Sequence, residues 1–137
     1  MKIASFVAAL GACALLAGSA EATAGADVIR FLAVKVSEKQ PNDKTFIINE
    51  NDLINGKKVG HDTLTCKIVD QNHANCSIVI VFSAGKLNAT FVLPLGASRG
   101  KGMITGGAGK YAGAKGTLTW RNLNSEGSRT GVVVTLK

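Results

Sequence analysis

The sequence predicts an all-β fold, a sandwich or barrel, and its eight predicted strands are the usual number for a small closed barrel. No stretch beyond residue 24 has a convincing 3.6-residue apolar period, so helices are not expected. Short β-rich runs instead recur at a spacing of roughly ten residues. In chain order the runs are Val28–Ser37, Thr45–Leu53, Val59–Val69, Cys76–Ser83, Leu87–Leu95, Gly102–Thr105, Thr117–Asn122 and Gly131–Leu136.

Turn residues divide these runs and indicate where the chain reverses. The clearest turn signals are Gln40-Pro41-Asn42-Asp43, Asn55-Gly56, Ala84-Gly85 and Asn124-Ser125-Glu126-Gly127. Glycine, proline and asparagine favour such positions because they set or tolerate the backbone angles of tight turns. Antiparallel neighbours joined by short hairpins therefore fit the pattern better than crossover connections.

A glycine-rich run, residues 104–116, is the most informative part of the chain. It holds five glycines in thirteen residues around the only tyrosine, Tyr111, and β-patterns flank it on both sides. Glycine concentrates where φ is positive or where another backbone comes close. The run therefore predicts a corner between strands, in which Gly106, Gly107 and Gly109 need positive φ or leave no room for a Cβ. Gly113 and Gly116 complete the motif.

Two catalytic motifs match short segments but lack their structural context. Residues 107–112 fit G-x-G-x-x-A, yet this dinucleotide fingerprint needs a following helix, and Thr117-Leu118-Thr119-Trp120 alternates like a strand. Residues 96–100 fit G-x-S-x-G, but no His and only Glu126 among acids follow Ser98. Neither a nucleotide site nor a hydrolase is predicted.

Residues 1–24 have the features of a secretory signal peptide. Lys2 precedes the apolar stretch Ile3–Leu16, and Ala20-Glu21-Ala22 and Ala22-Thr23-Ala24 both suit signal peptidase. The stretch is too short for a firm membrane anchor. We expect cleavage near residues 22–24, secretion, and a single domain formed by residues 25–137.

The two cysteines beyond this segment, Cys66 and Cys76, suggest one disulfide in an exported chain. A hairpin folded about Gln71 would place residue 66 opposite residue 76, where Cβ atoms lie close enough to bridge. Two buried free thiols are the alternative.

The formal net charge is +7, and the lysines and arginines are spread singly along the chain. Nucleic-acid-binding proteins cluster their basic residues or interleave them with aromatic residues. We therefore expect a solvated cationic surface with no nucleic-acid partner and, at most, weak affinity for an anionic cell envelope.

The glycine-rich run resembles the T-G-G-x-G-x-[YF]-x-G-x-x-G signature of the allene oxide cyclase and dirigent superfamily. Lys57-Lys58-Val59-Gly60-His61-Asp62 followed by Cys66 is similar to the family's third-strand segment. Phe82–Thr90 resembles its next hairpin, and Thr117–Leu136 fits its last two strands. The resemblance covers the chain beyond the signal peptide and is nearest to the short secreted bacterial branch.

The resemblance implies an eight-stranded antiparallel barrel that acts without a cofactor or metal. Its known members close an epoxide fatty acid into a ring or steer the coupling of phenoxy radicals, holding a reactive apolar molecule inside the barrel. It thus implies a small apolar ligand and an activity of the isomerase, cyclase or dirigent kind. A secreted structural protein whose barrel is filled by its own side chains is the alternative, and assembly into a homo-oligomer stays open.

The resemblance also suggests ligand-binding positions but names no catalytic residue. Plant cyclases carry an acidic residue and an Asn on the first strand, where the best register here places Lys35 and Ser37. Glu38 lies one step away, and a one-residue slip reverses the face of a strand residue. Tyr111 and Trp120 are the aromatic candidates. Tyr111 would either cap the cavity mouth and contact a ligand or plug the core, and Trp120 is otherwise core.

The remaining ionisable residues give weaker signals. His61 and His73 have no acidic or thiolate partner at ligand spacing, so no metal site is predicted. Asp62 and His61, as strand neighbours, point to opposite faces. Glu50 and Asp52 share a face if residues 45–53 form a strand, and we interpret them as the solvated end of that strand.

Overall fold

The computed structural model describes residues 27–137, and the predicted signal peptide lies outside them. Those residues form eight strands: β1 (Asp27–Asn42), β2 (Thr45–Ile54), β3 (Lys57–Ile68), β4 (His73–Phe82), β5 (Gly85–Pro94), β6 (Arg99–Gly109), β7 (Gly116–Asn122) and β8 (Arg129–Leu136). Each strand pairs antiparallel with the next, and β8 pairs with β1, which closes a barrel in sequence order. The predicted all-β barrel is therefore confirmed. No helix in this part of the chain is long and apolar enough to cross a membrane.

Most strands are slightly longer than the sequence predicts, and β1 and β6 are much longer. β1 continues through the predicted turn at Gln40-Pro41, because Pro41 lies in an irregular part of the β1–β2 ladder where its missing N–H is tolerated. β6 includes the first six residues of the glycine-rich run, 104–109, since Gly106, Gly107 and Gly109 pair with β5 instead of forming the turn.

One face of each strand points into the barrel. The main core contains Phe31 and Ala33 of β1, Ile78 and Ile80 of β4, and the corresponding inward residues of β5 to β8. The rings of Phe31 and Phe82 meet edge to face at 5.8 Å, and Phe82 meets Tyr111 at 6.1 Å. This row of three rings closes the barrel end where the 110–115 turn lies.

A β-bulge in β1 changes which side chains face inward. Lys35 pairs with Glu50, but Ser37 pairs with Asn49, so Val36 is the extra residue. A bulge shifts the alternation by one residue. Glu38, which pairs with Ile48, therefore faces the interior together with Lys35. The sequence-based placement of Ser37 in the cavity is wrong.

The glycine corner is constrained at some positions and not at others. Gly109 has φ +63° and a Cβ there would lie 2.8 Å from the Ala84 carbonyl oxygen. Gly113 and Gly116 also have positive φ. A Cβ on Gly107 would lie 2.6 Å from the Tyr111 carbonyl oxygen. Gly106 faces open space without positive φ, so the constraint predicted for it is wrong.

The Cys66–Cys76 disulfide is present and joins directly opposed residues of β3 and β4. Both cysteines are buried and form a small second core with Ala74, against which Phe46 and Phe91 pack. The bridge thus ties the wall of the barrel together near the turn between β3 and β4.

Replacing both cysteines, Cys66→Ala with Cys76→Ala, is expected to lower the free energy of unfolding by about 3 kcal/mol. The bridge closes a short loop and restricts the unfolded chain, which stabilises the folded state by roughly 2–3 kcal/mol. Urea denaturation of the oxidised protein and the double variant measures the difference. Equal stability would contradict the structural role of the bridge.

Candidate functional site

The barrel encloses a cavity of about 290 Å³ at the end opposite the Phe31–Phe82–Tyr111 row. Ala97, Glu126 and Gly127, from the β5–β6 and β7–β8 connections, contribute to its lining and place its mouth at that end. The walls are mainly apolar and aromatic. They include Phe46, Ile48, Leu64, Ile78, Phe91 and Trp120. The cavity is concave and largely apolar with few polar groups, as small-molecule sites commonly are.

Lys35 and Glu38 form an ion pair in the cavity lining. The Lys35 Nζ donates to Glu38 Oε1 at 2.8 Å, and both side chains are partly exposed. Both reach the cavity because the β-bulge at Val36 lies between them. Lys35 is therefore paired with an acidic residue of its own strand.

Three acidic side chains lie buried beside one another inside the barrel. Glu50 and Asp62 are direct partners across β2 and β3, and Asp52 follows Glu50 on the same face of β2. Their exposed fractions are 8%, 0% and 1% for Glu50, Asp52 and Asp62. Glu50 lines the cavity. We call Glu50, Asp52 and Asp62 the acid cluster.

The carboxyl oxygens of Asp52 and Asp62 are not satisfied by other parts of the described chain. No N–H or hydroxyl donor among residues 27–137 bonds them, so only the carboxyl groups of the cluster can share protons with each other. Unpaired buried carboxylates are costly, and they persist in native structures chiefly at functional sites. The cluster is therefore the strongest candidate for chemistry in this barrel.

Burial sets the protonation of the acid cluster. Desolvation raises the pKa of Glu50 and of Asp52. The pKa of Asp62 is raised to about 11, first by burial and then by the neighbouring Asp52 and Glu50. Like charges this close cannot all ionise, so one proton stays in the cluster, on Asp62, at neutral pH. Asp62 holds that proton, and Glu50 is the member of the acid cluster whose carboxyl group lines the cavity.

The arrangement differs from a metal centre. Within residues 27–137, no group of three or more His, Cys, Asp or Glu side chains has a geometry that could hold a metal ion. His61 is next to Asp62 in the chain, but its side chain is exposed on the outer face of β3. What the cluster offers is carboxyl groups at the edge of an apolar cavity.

The predicted orientation of Glu50 and Asp52 on β2 is wrong. Glu50 and Asp52 were interpreted as a solvated strand end, and the structure places both inside. The alternation of strand residues indicated the inward orientation of Glu50 and Asp52, because the apolar residues Phe46 and Ile48 precede them on the same face and line the cavity. Asp62 was missed because its partner across the sheet is defined only by the β2–β3 register.

Trp120 lines the cavity, and its ring lies tilted against Phe91 with the ring centres 6.1 Å apart. Its Nε1 is buried and has no acceptor among the described residues. A Cβ on Gly100 would lie 2.8 Å from three indole atoms, so the glycine makes the space in which the ring lies. As the only tryptophan in the chain, it reports on the cavity by its fluorescence.

Tyr111 and Ser37 do not line the cavity, whereas Lys35 and Trp120 do. Tyr111 packs on Phe82 at the closed end, the plug position, and so its predicted contact with a ligand does not fit the structure. Ser37 accepts a hydrogen bond from Asn49 Nδ2 at 3.1 Å, and Thr63 donates to Asn49 Oδ1. These three residues form a polar row on the outer face.

Tyr111→Phe is expected to leave ligand retention unchanged and to shift the melting temperature very little. The ring keeps its packing on Phe82, and only the hydroxyl is lost. Differential scanning fluorimetry and native mass spectrometry measure the two quantities. A large loss of stability would instead indicate a buried structural hydrogen bond at the hydroxyl.

Comparison with known proteins gives the fold but no closer relationship. No protein-family model and no curated protein matches the chain. Among solved structures, a pyocyanin demethylase has a TM-score of 0.68 at 22% identity, covering 81% of this chain and 100% of that one. A pterocarpan synthase dirigent protein has 0.59 at 13%, covering 82% and 84%. A Diels–Alderase from Streptomyces koyangensis has 0.63 at 11%, covering 84% and 71%. The resemblance to dirigent and cyclase barrels is therefore confirmed at the level of the fold.

Proposed function

We propose that this protein is a secreted barrel that binds a small, largely apolar molecule and holds it in one conformation without a cofactor. The observation that carries the proposal is the apolar cavity with the acid cluster at its inner wall. A barrel filled by its own side chains, the alternative function, would have no such space. The similar folds of a pyocyanin demethylase, a pterocarpan synthase dirigent protein and a Diels–Alderase support the choice, because each is named for chemistry on a small molecule.

The cavity assigns a role to each part of its lining. The apolar walls exclude water and fix the orientation of the bound molecule, which lowers the entropic part of a barrier. Glu50 faces the ligand and takes or returns a proton there, while Asp62, which does not line the cavity, keeps its own proton beside Glu50. The reaction class is an isomerisation or cyclisation in which a proton moves within the bound molecule.

Native mass spectrometry after exposure to fatty-acid and phenolic libraries tests the proposal. We expect a retained species in the protein and quenching of Trp120 fluorescence on binding. Ala97→Phe, at the cavity mouth, should reduce retention severalfold, whereas Ser98→Phe, on the exposed neighbouring position, should not. A protein that stays empty with both libraries and with small bicyclic probes would favour the filled-barrel alternative.

Export is a separate part of the proposal, supported by the pattern in residues 1–24 and by the disulfide. Mass analysis of the protein recovered from culture medium should give a chain beginning near residues 23–25. Recovery only of the uncleaved chain inside cells would overturn this part and leave the ligand proposal intact.

A further inference from the structure

The cavity carries the opposite charge to the rest of the protein. The chain has sixteen basic and nine acidic residues, and most of the basic ones lie on the outside of the barrel. The charged side chains that line the cavity are Lys35, Glu38, Glu50 and Glu126. Lys35 bonds Glu38 and also lowers the pKa of Glu50, so one cation is shared among three acidic side chains and the lining has an excess of acid.

The acid cluster at the inner wall of the cavity adds to this excess of acidic side chains. Asp52 and Asp62 stand behind Glu50 with no cation and no hydrogen-bond donor from the described residues on their oxygens. Buried carboxyl groups are normally paired with a cation or with donors, because leaving them unpaired is costly. The cation nearest to Glu50 is Lys35, which lowers the pKa of Glu50 but is bonded to Glu38, so a ligand cation would add a charge that the cluster does not hold for itself.

We propose that the ligand of this cavity carries a cationic nitrogen on a flat, apolar, two-ring frame, and that the nitrogen lies against Glu50. The proposal rests on the proposed function and specifies its ligand class. Phe46, Phe91 and Trp120 supply aromatic faces that attract a cation as well as apolar surface. The negative lining at the mouth attracts cations toward the cavity.

The size of the cavity limits the frame. Its volume of about 290 Å³ lies at the lower end of the range for small-molecule pockets. Such a space suits a bicyclic molecule and is small for a long acyl chain. An anionic ligand would meet Glu38, Glu50 and Glu126 with only a lysine that is already paired.

Binding of a cation should release a proton. A positive charge beside Glu50 favours the ionised form of the cluster, whose pKa values burial has raised. The groups that face Glu50 are Lys35 and Glu38 from β1, Asp52 from β2, Asp62 from β3 and Glu126 from the β7–β8 connection. In the described residues, β4 to β8 add no titratable side chain to the lining.

Three probes of equal shape separate charge from size. They are 1-methylquinolinium, which is cationic, 1-methylnaphthalene, which is neutral, and 1-naphthoate, which is anionic. Titration of each is followed by Trp120 fluorescence at pH 7. We expect the cation to bind at least tenfold more tightly than the neutral isostere, and the anion more weakly than both. Calorimetry in buffers of different ionisation enthalpy should show proton release with the cation alone.

The matched variants are Glu50→Gln and Asp70→Asn. Glu50→Gln keeps the shape of the side chain and should abolish most of the tenfold preference, with folding checked by circular dichroism. Asp70→Asn removes an exposed acid in the β3–β4 turn and should leave the preference unchanged. Proton release by the wild type tests the same point without any substitution.

The outcomes separate this inference from the proposed function. Equal affinity for the cation and the neutral isostere overturns the charge preference and leaves the apolar cavity site standing. A preference that survives unchanged in Glu50→Gln overturns the placement of the nitrogen. Failure of all three probes and of both libraries overturns the ligand class and the proposed function together.

Discussion

Gly107→Val is expected to prevent stable folding or to lower the free energy of unfolding by at least about 3 kcal/mol. A side chain at this position of β6 would run into the backbone of Lys86 and Tyr111, with the Tyr111 carbonyl oxygen 2.6 Å from the first added atom. Overpacking against side chains typically costs 1–3 kcal/mol. Backbone atoms of a closed barrel cannot move aside as side chains do, so the cost should lie at or above that range.

Gly106→Val is the matched control, one residue away in the same strand. A Cβ there meets no atom within 4 Å, and the backbone does not have positive φ. Valine favours extended backbone, so the change should be neutral or slightly stabilising. Thermal unfolding of both variants measures the contrast. Similar losses in the two would show that the whole glycine run is constrained by something other than local space.

Asp62→Asn is expected to make the protein more stable at alkaline pH. Burial and the neighbouring acids raise the pKa of the Asp62 carboxyl to about 11 in the folded protein, against 3.8 for an aspartate in water. Between these values the folded state holds a proton that the unfolded state has lost, so stability is greatest at low pH and falls as pH rises. Each such proton changes the free energy of unfolding by at most about 1.4 kcal/mol per pH unit. Glu50 and Asp52, whose pKa values are also raised, act in the same direction.

Urea denaturation at pH 5, 7 and 9 tests this sign. The wild type should lose stability along the series, and Asp62→Asn should lose less, so that the two differ most at pH 9. Asp70→Asn is the control, because hydrogen bonding lowers the pKa of that exposed carboxyl. The ionised Asp70 therefore stabilises the fold above its unfolded-state pKa, and this contribution is lost only on acidification. A wild type that gains stability between pH 5 and 9 would contradict the protonated state of Asp62.

The local pattern of the chain predicted the architecture and the disulfide, because both depend on short-range spacing. Strand alternation and hairpin lengths determine which neighbours pair, and Cys66 and Cys76 followed from one hairpin. Which residues of β1 line the cavity depends on the β-bulge at Val36, and the bulge has no local signal in the sequence. Nothing in the composition around Val36 marks the bulge that turns Glu38 inward and Ser37 outward.

The acid cluster was missed for a different reason. Acidic residues on a strand are ordinarily assigned to water, and this rule outweighed the phase set by Phe46 and Ile48. Only the β2–β3 register shows that Asp62 lies opposite Glu50. The acidic side chains are therefore one another's neighbours. Functional sites commonly break the rules by which a fold is recognised.

Closure of the barrel by β1 and β8 has a consequence for how the chain folds. The ladder that completes the barrel joins Asp27 to Leu136, whereas the other ladders join strands that are adjacent in sequence. Hairpins form within about 1–10 μs, but topologies dominated by distant pairings fold in milliseconds to seconds. Until β8 is available, β1 and β7 have open edges that invite pairing with other chains. We therefore expect folding to be limited by the final closing step, and the risk of aggregation to be greatest just before it.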